Sequence, residues 1–368
     1  MDLKLSDAEQ NLRDDLRAWL DSDYTFAAHL ARTATATSRD DARWRTMVDR
    51  GWIARALPNR DAIEQSTIDA AIIAEEFGRA VVVEPFFRSA FLVANLVFEA
   101  AEPALADNIL ARIGSGEGRF AAALYEPGGR FRPEVVTTRA EQAGEDWVLS
   151  GRKAVVMDGA DADHLLVSAR LADGTTGLFM VAGEAEGLVR TGYYTIDDAA
   201  AADLTLDRVA ARAVAIGGGV GAAITAGIDR TITALGAEAA GAAQAALDET
   251  AGYAGKREQF GRPIAHFQVI AHRLARMFIE LEALRGGVFE ALANVAADAG
   301  ERALAASALK VLVAEKARFV VNQGIQVHGG VGTVNDYKVS HCFKRVFALE
   351  TLYGNGDYHL ARYAREFD

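Results

Sequence analysis

The strongest constraint on the fold is a set of three long amphipathic segments in the C-terminal part of the chain. Residues 222–255, 264–297 and 300–326 are rich in alanine and leucine and carry their charges on one side. Apolar residues at this spacing predict helices, and long helices joined by short links pack as antiparallel neighbours. The sequence therefore predicts a C-terminal four-helix bundle that begins after the glycine cluster at 217–219.

A different pattern precedes that cluster. From Phe120 to about Val214, short apolar runs are separated by turn groups such as Pro127-Gly128-Gly129 and Asp173-Gly174, a spacing typical of an antiparallel barrel or sandwich. Before the change of pattern near 114–116, the apolar residues have helical spacing. The sequence therefore predicts an α+β protein with an N-terminal helical domain, a middle antiparallel β domain and the helical bundle. The predicted domain boundaries are 1–116, 117–216 and 217–368.

Composition argues against several classes of function. The 368 residues carry a formal net charge of -12, which disfavours binding to nucleic acid or to anionic membranes. Cys342 is the only cysteine, so no intrachain disulfide or CxxC site can form, and the histidines lack metal-ligand spacing. The N-terminus has no apolar signal region, and no apolar run is long enough to cross a membrane. We expect a cytoplasmic protein without a metal site.

A first motif lies where the long helix over 222–255 ends. In KREQFGRPI, residues 256–264, Gly261 and Pro263 interrupt the helix. Arg257 lies one turn before that interruption, where a guanidinium can hold a phosphate through two hydrogen bonds. Taken alone, the motif is better explained as an ordinary helix C-terminus with a favourable cation and a turn.

A second motif, NQGIQVHGGVG at 322–332, ends a later helix. Glycines at 329, 330 and 332 let a ligand approach the backbone closely, and their amides could form an anion-binding nest. Gln326, one turn earlier, offers a donor and an acceptor. Taken alone, this motif is a glycine-rich C-cap, and His328 is more simply structural than catalytic.

Together, in a helical bundle that follows a β domain, these motifs resemble the RxxFG and QxxGGxG pair of the acyl-CoA dehydrogenase family. Four further segments resemble the family in the same order along essentially the whole chain: EEFGR near 77, LYEPGG at 124–129, the strand pair from Trp147, and YGNGDYHLARYA near the C-terminus. The amino-acid sequences of these segments are most similar to those of the small subunit of heteromeric enzymes of the pimeloyl-CoA dehydrogenase type.

The resemblance implies an FAD-dependent enzyme that desaturates an acyl-CoA thioester between its α and β carbons. In the family, FAD lies across a dimer interface: one subunit's β domain holds the flavin ring, and the neighbouring subunit holds the dinucleotide tail. Asp229 matches an aspartate beside the CoA thioester arm, and the electron acceptor would be an electron-transfer flavoprotein. The residues that would grip the neighbour's FAD are Arg257, Phe260, Gln326, Gly329 and Gly330.

The sequence departs from the family where the reaction takes place. The usual catalytic glutamate corresponds to Gly354, and the alternative position for that base corresponds to Thr231. The tryptophan and threonine that contact the flavin ring are replaced by Val155 and Met157. The catalytic base therefore stays unassigned, whereas the residues for the dinucleotide tail are retained.

This division suggests an α2β2 assembly in which a paralogous chain supplies the base and the ring contacts. One rival is an autonomous homo-oligomeric enzyme with another base, for which Asp357, Glu350 and Asp229 are the candidates. A second rival is a non-oxidative subunit that binds acyl-CoA or has only a structural role. Medium-chain, dicarboxylyl and steroid side-chain thioesters all stay open as substrates.

Overall fold

The computed structural model describes residues 5–33 and 40–365. The described helices are, in chain order, α1 (Asp7–Asp23), α2 (Phe26–Thr33), α3 (Asp41–Asp49), α4 (Trp52–Ala56), α5 (Ile63–Ala80), α6 (Phe91–Ala100), α7 (Pro103–Gly114), α8 (Val220–Lys256), α9 (Gln268–Ala293), α10 (Ala299–Leu312), α11 (Arg318–His328), α12 (Lys338–Thr351) and α13 (Gly356–Ala364). Two π-helical turns, Phe86–Ala90 and Val313–Ala317, and two 3₁₀ turns, Ile264–His266 and Gly329–Thr333, complete the helical structure.

The described strands are β1 (Phe120–Ala123), β2 (Arg139–Ala143), β3 (Asp146–Met157), β4 (His164–Arg170), β5 (Thr176–Ala182), β6 (Leu188–Tyr194), β7 (Ala200–Ile216), β8 (Glu258–Gln259) and β9 (Arg262–Pro263). Two compact units contain these elements. The helical unit comprises the described parts of residues 1–36, 67–82 and 232–368, and the β unit comprises those of 37–66 and 83–231.

The predicted middle β domain is confirmed as a closed sheet. Strands β4, β2, β3, β7 and β5 pair in that order, and β5 also pairs with β4, so the ring closes. Most pairings are antiparallel, but β1 and β2 each run parallel to β4. The interior is filled by alternating apolar residues such as Leu149, Val167 and Phe179, which are fully buried. A closed ring of this kind has no exposed edge along most of its strands.

Strand β2 is shorter than the apolar pattern predicts. The run EVVTTRAE starts at Glu134, but the strand starts at Arg139. The backbone amides of Thr137 and Thr138 donate to the Glu126 carboxylate at 2.8 and 2.9 Å instead of joining a strand ladder. A buried carboxylate therefore competes with strand pairing over these residues.

The C-terminal bundle matches the predicted segments closely. Helices α8, α9 and the pair α10–α11 cover 220–256, 268–293 and 299–328. The π-helical turn Val313–Ala317 joins α10 to α11 without a break. Helix α12 is the fourth long element, and α13 follows it after a short turn. The described helices include none with the length and apolar character that a membrane crossing requires.

Two glycines, Gly78 in the EEFGR segment of α5 and Gly241 in α8, allow these two helices to pack closely. A Cβ atom on Gly78 would collide with the Glu238 carbonyl of α8, and a Cβ atom on Gly241 would collide with the Glu75 carbonyl. Helices α5 and α8 thus cross in direct backbone contact, which only residues without side chains permit. Arg345 of α12 lies beside this crossing, fully buried, and donates to the Glu238 carboxylate and to the Val82 carbonyl.

Candidate functional site

The RxxFG motif forms a two-residue hairpin at the end of α8. Strands β8 and β9 pair Glu258 with Pro263 and Gln259 with Arg262, which leaves Phe260 and Gly261 at the tip. Their φ angles are 53° and 77°, and two positive φ values are characteristic of a type I′ turn. A bulky residue rarely adopts a positive φ, so the tip holds Phe260 in a strained backbone conformation.

The strained aromatic at this tip is also the most exposed large hydrophobic residue in the described chain. Phe260 is 91% exposed, although its ring lies edge-on to Phe267 with 6.1 Å between centroids. Arg257 at the base of the hairpin is exposed as well. Backbone strain concentrates where a ligand or partner uses the presented side chain. The hairpin therefore presents an aromatic face and a guanidinium to solvent.

The glycines of the second motif fall into two groups. A Cβ atom on Gly324 would lie 2.9 Å from Val339, and one on Gly332 would lie 2.9 Å from His328, so internal packing requires both glycines. A Cβ atom on Gly329 or on Gly330 would meet nothing within 4 Å. Gly329 has φ 65°, whereas Gly330 has neither a positive φ nor a close neighbour. No neighbour among the described residues requires a glycine at 330, so the open space there is available to a ligand.

His328 and Tyr253 bring the two motifs together. Their rings stack with 4.4 Å between centroids, which joins the last turn of α8 to the last turn of α11. His328 is buried, and its Nδ1 lies 2.8 Å from the Gly324 carbonyl. His328 thus has the structural role that the sequence predicts, since it packs between the ends of two helices. Arg257 lies one turn beyond Tyr253, and Gly329 directly follows His328.

These residues suit the phosphate-rich tail of FAD. A guanidinium fork matches a diphosphate, exposed glycine amides can line an anion, and an exposed aromatic ring offers a surface for stacking. All five predicted contact residues lie in the helical unit, and all are exposed: Arg257, Phe260, Gln326, Gly329 and Gly330. The donor set therefore fits the group.

The position that would carry the usual base has little room for a side chain. Gly354 has φ 120°, and a Cβ atom there would lie 2.5 Å from His359 Nε2 and 2.6 Å from Tyr358 Cδ1. His359 is held in place by the Tyr353 carbonyl at 3.1 Å. Burial lowers the pKa of His359 to about 3, so the imidazole is neutral at physiological pH.

Lys310 fixes the backbone that leads into this segment. It is buried, and its Nζ donates to the carbonyls of Leu349, Glu350 and Leu352 at 2.6, 3.0 and 2.8 Å. These three acceptors use all the protons of an ammonium group. Burial lowers the pKa of Lys310 to about 7. The sequence did not predict this role, because a lysine in the middle of a helix carries no local sign that it caps another helix.

The alternative base position is occupied by a bonded hydroxyl. Thr231 is fully buried, and its Oγ1 donates to the Gly227 carbonyl at 2.8 Å and accepts from Asn95 at 3.3 Å. Asp229, one of the candidate bases, is 2% exposed in the β unit. Its assignment to the CoA arm stays a prediction.

The two remaining candidate carboxylates have different surroundings. Asp357 is exposed in the first turn of α13, and Asn355 rather than Asp357 is the N-cap. An acidic group in a first turn is favourable for the helix. Glu350 is buried, and burial raises its pKa although Arg318 Nη1 lies 2.8 Å away. Both carboxylates therefore have ordinary structural explanations within the helical unit.

The flavin-ring positions of the β unit lack the expected groups. Val155 is 51% exposed with φ 53°, and its amide donates to Asp203 at 3.0 Å. Met157 is buried. Neither side chain can donate a hydrogen bond.

Lys153 has a role that the sequence did not predict. This residue of β3 is fully buried, and it pairs with Glu126 at 2.8 Å and with Ser168 at 3.0 Å. The charge of Lys153 and the hydrogen bonds from Thr137 and Thr138 lower the pKa of Glu126 to about 2 against the opposing effect of burial. The Lys153–Glu126 ion pair thus links the LYEPGG segment to β3.

The family model of the acyl-CoA dehydrogenase middle domain matches residues 121–209, and that of the C-terminal domain matches residues 217–367. The chain belongs to the acyl-CoA dehydrogenase family. It is accordingly an FAD-dependent oxidoreductase of the class that desaturates acyl-CoA thioesters.

Individual relatives support the same assignment. The 3-(aryl)acrylate reductase of Clostridium sporogenes is 34% identical over 256 residues, which cover 66% of this acyl-CoA dehydrogenase chain and 67% of that protein. A structure of a variant of the Tcur3481-Tcur3483 steroid ACAD is 31% identical, with TM-score 0.85 and coverage of 98% and 97% of the two chains. The ChsE4-ChsE5 complex from Mycobacterium tuberculosis is 25% identical, with TM-score 0.87 and coverage of 100% and 99%.

Proposed function

We propose that this chain is one subunit of a heteromeric acyl-CoA dehydrogenase and grips the tail of an FAD whose flavin ring lies on a paralogous partner chain. The partner would carry the catalytic base and the ring contacts. The functional unit would be an α2β2 tetramer with half the usual number of flavin sites. Related subunits that share a two-fold arrangement can divide a site in this way.

The single observation that carries the proposal is the crowding at Gly354, where the backbone has φ 120° and two side-chain rings lie within 2.6 Å of the position of a Cβ atom. A missing carboxylate alone would be compatible with a substitution that another residue rescues. Here His359 and Tyr358 occupy the space into which a side chain at 354 would extend. Since Thr231 also has its hydroxyl bonded within the β unit, neither family position for the base is available in this chain.

The retained half of the site supports the same division of labour. The residues for the dinucleotide tail form an exposed, partly strained surface, and internal packing does not explain either the tip at Phe260 or the glycine at 330. A surface of this kind is useful only when another molecule covers it. If this chain contacted neither the flavin ring nor the dinucleotide tail, the strained positive φ at Phe260 would have no functional explanation.

Two structural relatives add an independent argument. Each of these structures is of a protein named for two chains together, Tcur3481 with Tcur3483 and ChsE4 with ChsE5. Each matches this chain over nearly its whole length at 25% identity or more. By this analogy a steroid side-chain thioester is the substrate class to test first, and an electron-transfer flavoprotein is the acceptor by family analogy.

In the assembled enzyme this chain's residues would bind and orient the cofactor. FAD supplies the hydride acceptor for the desaturation. Arg257 would hold the diphosphate through two charge-assisted hydrogen bonds, and Gly329 and Gly330 would donate backbone amides to it. Phe260 would shield the dinucleotide tail from solvent. Tyr253 and His328 would keep the two motifs at a fixed separation.

Co-expression with a paralogous family chain tests the proposal. This chain is purified alone and together with that partner, and acyl-CoA oxidation is followed with an artificial electron acceptor. We expect turnover only from the complex, and we expect Arg257→Gln in this chain to lower the flavin content of the complex. Arg262→Gln, in the same hairpin, is the matched control, because its guanidinium lies over Phe267 at 4.5 Å.

The rival functions give different results in the same experiment. An autonomous enzyme would turn over as a homo-oligomer without any partner. A non-oxidative or purely structural subunit would form the complex, but Arg257→Gln would leave the flavin content unchanged.

A further inference from the structure

A groove of about 880 Å³ in the β unit lies apart from every residue assigned above to the dinucleotide tail or to the base. It is bordered by the ends of β2 and β3 and by the turn that follows β4. Its volume falls in the range of about 300–1,000 Å³ that is usual for small-molecule sites. Its lining includes Arg139, Arg170 and Trp147.

The two arginines are placed side by side by the strand register. Arg139 of β2 and Arg170 of β4 are direct Cα partners in a parallel pairing. Residues in this relation project on the same face of the sheet, and like charges there repel each other. The guanidinium of Arg170 lies over the turn at Gly174, where a Cβ atom would be 3.5 Å from its Nη2. An anion between the two groups would relieve the repulsion.

Neither guanidinium has a protein partner in the part of the chain that the structure describes. No hydrogen bond or ion pair of either side chain occurs within residues 5–33 and 40–365. Two acids also line the groove, but neither pairs with these arginines: Glu141 lies 3.8 Å from the exposed Arg208, and Asp173 accepts from the amide and hydroxyl of Thr175 at 2.9 and 2.7 Å. Both guanidinium groups are therefore available to an anionic ligand.

Trp147 gives the groove a flat apolar wall. The indole is partly buried and packs against the fully buried Phe179 with 5.3 Å between ring centroids. This support from the barrel core holds the ring in place, so stacking on it costs little conformational freedom. A positive pair beside a fixed aromatic ring is the combination that binds nucleotides through phosphate contacts and base stacking.

We propose that this groove is a binding site for a phosphate-bearing planar ligand of the nucleotide class. Arg139 and Arg170 hold the phosphate oxygens, and Trp147 stacks on the base. The ligand is either a free nucleotide or the nucleotide end of a larger ester, since both present the same chemistry to the groove.

Calorimetric titration of the purified assembly tests the proposal with ADP, pyrophosphate and adenosine. We expect ADP to bind more tightly than pyrophosphate, and adenosine to bind least. Arg139→Gln and Arg170→Gln should each weaken ADP binding about tenfold, the scale of one lost charge-assisted hydrogen bond. Arg212→Gln is the matched control, because Arg212 is exposed on β7 outside the groove.

The dinucleotide-tail site also recognises an ADP group, so its contribution must be separated. ADP binding to the groove should survive Arg257→Gln and should be lost in the double variant of Arg139 and Arg170. Coenzyme A distinguishes the two ligand sources: sensitivity of its binding to Arg139→Gln assigns the groove to a nucleotide-ended ester, and insensitivity with ADP binding retained assigns it to a free nucleotide. ADP binding that is absent, or equal in wild type and the double variant, would overturn the proposal without affecting the heteromer.

Discussion

The imidazole of His359 occupies the space into which a side chain at Gly354 would extend. Its Nε2 lies 2.5 Å from the position of a Cβ atom on Gly354 and 3.1 Å from the Tyr353 carbonyl. The backbone at 354 has φ 120°, which favours glycine. The loss of the family's usual base is therefore built into the local packing of the turn before α13.

Restoring a carboxylate at this position should destabilise the chain without creating activity. Gly354→Glu must distort the backbone and displace His359, and overpacking of this kind typically costs about 1–3 kcal/mol. Urea unfolding of the chain alone measures the change. Gly330→Ala is the control, because a Cβ atom there meets nothing within 4 Å, so its free energy of unfolding should be nearly that of wild type. Oxidation of acyl-CoA by the Gly354→Glu chain alone would show that the site was otherwise complete.

Relief of strain at the hairpin tip should separate stability from cofactor binding. Asparagine tolerates a positive φ better than phenylalanine, so Phe260→Asn should raise the free energy of unfolding of the unliganded chain by up to about 1 kcal/mol. The same change should lower the flavin content of the assembled enzyme, because the exposed ring is removed. Thermal unfolding and released-flavin absorbance measure the two effects. A variant that is more stable and keeps its full flavin content would remove Phe260 from the proposed site.

The buried Glu126–Lys153 pair predicts a defined loss of stability in acid. The pKa of Glu126 falls from 4.5 to about 2 on folding, so its stabilising contribution is complete above pH 4.5 and is lost as the pH falls toward about 2. Glu126→Gln should flatten this part of the stability profile relative to wild type. At neutral pH the same variant removes the carboxylate partner of the buried Lys153, whose pKa burial already lowers to about 8. The lysine should then lose its proton, so the cost should stay below the roughly 3–5 kcal/mol of an unpaired buried charge. Unfolding by urea at several pH values gives both results, and parallel profiles for the two proteins would contradict the assignment.

The rival bases should prove dispensable. Asp357→Asn removes an exposed carboxylate from the first turn of α13, and we expect turnover of the assembled enzyme to stay within about twofold, as for other exposed substitutions. Glu350→Gln keeps the acceptor for Arg318 and should behave likewise. Turnover with an artificial electron acceptor is the measurement. Loss of a general base typically costs about 10²–10⁴-fold in rate, so a fall of that size in either variant would favour an autonomous enzyme.

Much of the fold follows from periodicity in the sequence. The three long segments were placed to within a few residues, since each has helical spacing over many turns and ends at glycine, proline or asparagine. The N-terminal helix likewise begins at a sequence signal, a capping box in which Ser6 N donates to Glu9 at 2.7 Å. The parallel pairings of β1 and β2 with β4 were not foreseen, because strand alternation does not report the direction of a partner. The boundaries at 116 and 216 stay predictions.

The sequence was sufficient to name the residues of the candidate site but not to give their geometry. The motifs named Arg257, Phe260 and Gly330, yet only the structure distinguishes a glycine that packing requires from one that leaves space. The buried roles of Lys153 and Lys310 were missed for a physical reason. Each makes its partners across a long sequence separation, so no local pattern marks it.

The flavin content of the purified assembly tests the central claim most directly. FAD is released and quantified by absorbance, and the number of chains is determined by amino-acid analysis. If this chain grips the tail of a partner's FAD and seats no flavin ring itself, the assembly will contain one FAD for every two chains, and Arg257→Gln will deplete it. One FAD for every chain, in a homo-oligomer of this chain that oxidises acyl-CoA, would contradict the account.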